Sequence, residues 1–237
     1  MNQTRWEQWQ AASGFAALAL GGAAMAFERG PLTPDQSREA VIAHLTTDGS
    51  AMLIQAMLFL AGGAVYLWFI GSLRTFLTRA EGDTGQLSAV AFGAGVTWIG
   101  VNVVAQAFAA GLAMAPTAGA PPALISTMNA IFTIAALPLG VMLIAVAVVS
   151  LRHRAFPAWI GWLAAVAALS QFVLWYTTIV HTGPLAADGW LSYALYPVFL
   201  VWLVPAIIVM IRNPVRRPVG THDDATHPPG TTRQTVG

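Results

Sequence analysis

The sequence predicts an all-α fold: a polytopic membrane bundle of six transmembrane helices, both termini cytoplasmic, with a short amphipathic helix on the outer face. Three observations carry this. Hydrophobic residues make up 57% of the 237-residue chain and charged residues only 9%, where a soluble domain has about a quarter charged. Such a chain cannot cover a core with polar surface and needs a bilayer as solvent. Its apolar residues fall into runs near or above the ~20 that a membrane helix requires. The eleven basic residues, all arginine, are distributed very unevenly between the segments that separate those runs.

The first span, residues 11–27, follows a polar lead-in. Trp6 and Trp9 suit the headgroup level, where indole keeps its ring in the apolar zone and its N–H wet. Ser13, Ala17 and Gly21 recur every four residues, a small-residue stripe along which another helix or a partner chain can approach closely. Ala24-Met25-Ala26 resembles a signal cleavage site. Glu7 weakens the basic region such a signal needs, so the run reads as a retained helix. Residues 28–50 are polar. Thr33 and Gln36 have capping-box spacing around Pro34, and Val41, Ile42 and Leu45 form a narrow apolar face. The pattern predicts a helix over 34–46 lying on the membrane surface, as a lid or as cover for helix ends.

The second span covers 50–71 and the third 87–111. An uncharged Pro/Gly turn leads to the fourth, 123–151, where Pro138 and Gly140 predict a kink. The fifth, 156–180, opens on Trp159 and Trp162, and the sixth, 190–211, contains Pro197 and Pro205. Residues 1–211 thus form one transmembrane domain. Residues 212–237 are rich in Pro, Gly, Thr and charge, and are expected to be a disordered cytoplasmic tail. Gly71-Ser72-Leu73-Arg74 and Val149-Ser150-Leu151-Arg152 hint at a repeat of the two–three and four–five hairpins.

Arginine counting orients the bundle. With six spans, one side carries Arg5, Arg74, Arg79, Arg152, Arg154, Arg212, Arg216, Arg217 and Arg233, and the other only Arg29 and Arg38. The positive-inside rule then places the protein in a bacterial plasma membrane with both termini inside. Composition also excludes chemistry. The absence of cysteine removes disulfides and thiolate sites, and the absence of lysine removes Schiff bases. No cofactor is expected.

The third span is the most polar, and its Trp98, Asn102 and Gln106, four residues apart, share a face. At ~1.5 Å rise per residue, Asn102 and Gln106 fall toward the outer leaflet with Gln55, Asn129, Gln171, Tyr193 and Tyr196, and Trp175 lies one turn beyond Gln171. Two readings stand: an outward-facing polar and aromatic pocket for a lipid or small amphiphile, or a set of interhelical bonds. Such bonds average about 0.6 kcal/mol, which is motive enough for each residue singly. The spans carry no buried acid or base, which argues against a proton-coupled transporter and against an enzyme. A channel for an uncharged solute is a further alternative, since carboxamides and hydroxyls line such pores. No nucleic acid partner is expected. His44 and His181, beside Asp48 and Asp188, are the only outer-face candidates for a metal, and no metal is assigned.

The tryptophan lead-in Trp6-Glu7-x-Trp9, the stretch Leu67-Trp68-Phe69-Ile70-Gly71-Ser72-Leu73-Arg74 and the P-x-W-x-G-W-L pattern of Pro157 to Leu163 give the chain a family likeness. It resembles a group of actinobacterial six-span membrane proteins, domain-of-unknown-function family 4386 or a neighbour, over residues 5–211. The resemblance implies the six-helix fold. It implies no activity and no site residue.

Overall fold

In the computed structural model, which describes residues 3–82, 85–180, 183 and 190–213, all the regular structure is helical. The helices are α1 (Gln3–Met25), α2 (Arg38–Glu81), α3 (Gln86–Met114), α4 (Pro122–Ile134), α5 (Ala136–His153), α6 (Ala158–Tyr176), α7 (Trp190–Leu195) and α8 (Val198–Arg212). Short 3-10 turns follow α3 and α6. Four stretches, Arg38–Glu81, Gln86–Met114, Pro122–His153 and Ala158–Ile179, are long and apolar enough to cross a membrane, as befits a membrane protein. The 23 residues of α1 are long enough but more polar, and α8 is an apolar helix of 15 residues.

The helices close a ring in which α1 packs on α2, α2 on α3, α3 on α5, α5 on α6, α6 on α8, and α8 back on α1. Its core is built from Phe69, Leu73, Met142, Val146, Ile160 and Trp202, each at most 1% exposed. Helix axes approach where a side chain is missing. A Cβ on Gly62 would lie 3.4 Å from the Ala17 carbonyl oxygen, so part of the small-residue stripe of α1 is taken up by α2 within the chain. A Cβ on Gly140 would lie 2.9 Å from the Phe172 ring, and one on Gly161 would lie 3.0 Å from Leu151. The Leu73-Arg74 and Leu151-Arg152 segments hold different places. Arg74 lies two turns inside α2, whereas Arg152 is in the last turn of α5.

Three boundaries differ from the sequence reading. The expected surface helix over 34–46 is not a separate element: residues 38–46 are the first turns of α2, a continuous helix of 44 residues. The cap is Ser37, whose Oγ accepts from the Ala40 N–H at 3.2 Å, while Gln36 accepts from the Thr33 N–H in the turn before it. Upright continuation is favoured because the apolar face has a partner. Val41 and Leu45 pack with Leu32, Leu112, Ala120, Ile125 and Met128 in a second, smaller core. The kink expected at Pro138 and Gly140 falls instead at Ala135, between α4 and α5. Proline excludes the carbonyl four residues upstream, that of Ile134, so the break lies one turn before the ring itself. The sixth run is likewise divided, α7 ending at Leu195 before Pro197, whereas Pro205 is accommodated inside α8.

The α5–α6 contact gives a direct test. Gly161→Leu drives a branched side chain into Leu151 and Ser150, and overpacking of this kind costs about 1–3 kcal/mol. Gly100, with nothing within 4 Å of its Cβ position, is the matched control. Thermal unfolding in detergent is expected to show a lower midpoint for Gly161→Leu and no loss for Gly100→Leu.

Candidate functional site

The polar residues singled out in the sequence lie in separate settings. Asn102 donates to the Trp98 carbonyl of its own helix at 2.8 Å. Asn129 donates to the Leu32 carbonyl at 3.1 Å, and Gln55 donates to the Glu28 carboxylate. Gln171 is buried, its amide nitrogen 3.5 Å from the Ser170 hydroxyl, and Gln106 is buried in α3. Trp175 and Tyr196 are exposed, and the side chain of Tyr193 lies outside the described residues. No two side chains of this set hydrogen-bond one another among the described residues.

Trp98 belongs to an aromatic layer that the sequence did not disclose. Its ring meets Tyr66 of α2 at 5.4 Å and Phe199 of α8 at 5.7 Å, both edge-on, and Phe199 reaches Trp202 at 6.0 Å. Edge-to-face pairs of this spacing contribute ~0.5–1.5 kcal/mol beyond their buried area. The Tyr66 hydroxyl and the Trp202 indole N–H are buried there with no partner among the described residues. Each is an orphan whose desolvation costs about 1–3 kcal/mol. The layer is closed rather than hollow, since Tyr66 is 4% and Trp202 0% exposed.

At the arginine-poor end, the segment between α1 and α2 is clasped down. Asp48 stands 3.9 Å from Arg29 and 3.7 Å from His44, with the Asn129 and Gln55 bonds on either side. His181 and Asp188, expected beside His44 and Asp48, lie outside the described residues, as does the tail from 214. Among the described residues no three metal-ligating side chains come together.

The arginine-rich end is open. A cleft of about 790 Å3 lies between the end of α2, the α5–α6 connection and the end of α8. Its apolar wall includes Phe76, Leu151, Phe156 and Val209, and its polar positions are Arg79, Ser150, Arg154 and Asn213. It is a widely open depression at the surface and not an enclosed cavity. Phe76 and Phe156 stack at 4.7 Å. Arg79, Phe76 and Asn213 also line a smaller cleft of about 30 Å3, bounded on the far side by Glu7 and Gln10. There Arg79 donates to the Glu7 carboxylate at 2.9 Å. Arg154 caps α5 in the left-handed region, φ 56, and forms no ion pair among the described residues. Three residues on, Pro157 begins α6 without a side-chain cap.

These groups were legible one at a time. Arg79 and Arg154 follow two long apolar runs, Glu7 is the one acid in the first ten residues, and Phe156-Pro157 opens the fifth. What no local pattern signals is that α2, α5, α6 and α8 end around a common space. No family model, curated protein or solved structure matches the chain.

The clasp makes a prediction. Asn129→Leu removes the bond to the Leu32 carbonyl, at a cost of about 0.6 kcal/mol. Hydrogen exchange is expected to speed up across residues 28–37 and to stay unchanged in α6.

Proposed function

We propose that this chain is an integral plasma-membrane protein that holds a lipid or small amphiphile in the cleft at its arginine-rich end. The observation that carries the reading is the cleft itself, whose lining includes both apolar side chains and two arginines. That combination suits a molecule with a long apolar part and a polar head. In the same proposal the chain crosses six times, by α1, α2, α3, α4–α5, α6 and α7–α8, with both termini on the cytoplasmic side. The arginine asymmetry supports that orientation, and the proposed kinship with family 4386 rests on the sequence patterns around Trp6, Trp68 and Trp159 alone. For the outer polar set we favour fastening over a pocket, because Asn102, Asn129 and Gln55 spend their amides on the chain itself.

Two measurements test this. Because the chain has no cysteine, single cysteines can be labelled without background. Gly119→Cys is expected to react with a membrane-impermeant maleimide in intact cells, and Asn213→Cys only after permeabilisation; the reverse pattern overturns the orientation. Ala158→Trp, at an exposed position lining the cleft, is expected to abolish lipid retained through purification, as read by native mass spectrometry. Equal retention by the variant and the parent protein removes the cleft as the binding site.

A further inference from the structure

We infer that the ligand of this cleft is an anionic phospholipid whose phosphate lies between Arg79 and Arg154, a deduction that rests on the amphiphile-binding reading above. Charge is the first argument. The polar wall of the larger cleft presents two guanidinium groups, and Ser150 and Asn213 are neutral. No carboxylate lines the larger cleft among the described residues: Glu7 lines the smaller one, and Glu81, next to the lining residue Ala80, is engaged by the Leu87 and Ser88 N–H groups. Guanidinium is the side chain best matched to phosphate oxygens, because its fork of donors binds two at once and stays charged. Basic clefts between membrane helices are a known design for phosphate headgroups.

Arg79 already shows the chemistry it selects. Its guanidinium holds a carboxylate at 2.9 Å from the neighbouring cleft, so Glu7 acts as a tethered anion at the wall the two cavities share. A headgroup entering the larger side competes with Glu7 for the same donors. Arg154 supplies the second anchor from a backbone conformation that favours glycine, at a cost of about 1–2 kcal/mol to a residue with a Cβ. A glycine there would relax the turn and remove the charge, which separates binding from stability.

The lining also has an apolar part. Phe76, Leu151 and Val209 offer nothing to a phosphate and suit an acyl chain. A free phosphate would use the arginines alone and leave this wall bare.

The test uses full-length protein in nanodiscs of dioleoyl phosphatidylcholine with one tenth dioleoyl phosphatidic acid, phosphatidylglycerol or no addition, read by native mass spectrometry. The parent protein is expected to retain the anionic lipids over phosphatidylcholine, with about a fivefold loss of that preference for each arginine removed. Arg154→Gly is expected to lose the preference while its unfolding temperature stays level or rises. Glu7→Gln is expected to retain anionic lipid more strongly, because Arg79 is released from its internal partner. Equal retention of anionic lipid and phosphatidylcholine, still blocked by Ala158→Trp, overturns the anionic assignment and leaves amphiphile binding standing. No retained lipid of any kind overturns both. Displacement of the bound lipid by millimolar inorganic phosphate, with no help from an acyl chain, would reassign the site to a free anion.

Discussion

A hydrocarbon solvent supplies no hydrogen bonds, and this one constraint governs the molecule from backbone to polar side chains. Helices satisfy their own backbone, and the hydroxyls of this protein do the same. Thr97, Ser150, Ser170, Thr177 and Thr178 each donate to a carbonyl three or four residues back in their own turn. Asn102 follows the same rule with its amide. Polar side chains of this kind therefore contribute little to holding one helix against another. Packing supplies that, through glycines that remove a Cβ where Phe172, Leu151 or the Ala17 backbone comes close. In membranes, where apolar surface gains nothing by leaving lipid for protein, such close contact is the main source of association energy.

Much of the fold was legible because length and polarity are local properties. The long apolar runs at 50–71 and 87–111 lie wholly within helices, 123–151 is covered by α4 and α5, and most of 156–180 by α6 and the 3-10 turn that follows it. Boundaries were less legible where a distant residue decides them. Nothing in Val41, Ile42 and Leu45 says that Leu112, Ile125 and Met128 will stand beside them, and it is those residues that keep α2 upright. The break before α5 illustrates another limit: the proline is visible at 138, but its effect falls on the carbonyl of Ile134. The aromatic layer was hidden for the same reason. Tyr66, Trp98 and Phe199 stand among other aromatics in three unrelated runs, and nothing marks them as partners until the ring of helices closes.

The length of α2 gives the molecule two unequal ends. At ~1.5 Å per residue its 44 residues span roughly twice a ~30 Å hydrocarbon layer. Its C-terminal end meets α3 in a tight hairpin, where the Glu81 carboxylate accepts the N–H groups of Leu87 and Ser88. Its N-terminal turns carry the second core, clasped by Asn129, Gln55 and Asp48. That end is fastened by polar groups already engaged with one another. The opposite end gathers arginines around a space that no side chain of the described residues fills.

The contrast between those ends decides which of them suits a ligand. A carboxamide has four hydrogen-bonding positions, and a polar site built from Asn102, Asn129 and Gln55 must first break the bonds each already makes. A guanidinium has five donors, all of which stay charged at any cellular pH. Glu7 takes one nitrogen of Arg79, a side chain about one third exposed, and the rest of the fork is open to a second acceptor. Arg154 adds a second fork from a turn in which its Cβ is a liability. Unspent donors beside an apolar wall favour a molecule that is anionic at one end and greasy at the other. In the proposed reading, the arginines that set the chain's orientation by the positive-inside rule also select the lipid where helix ends leave room between them.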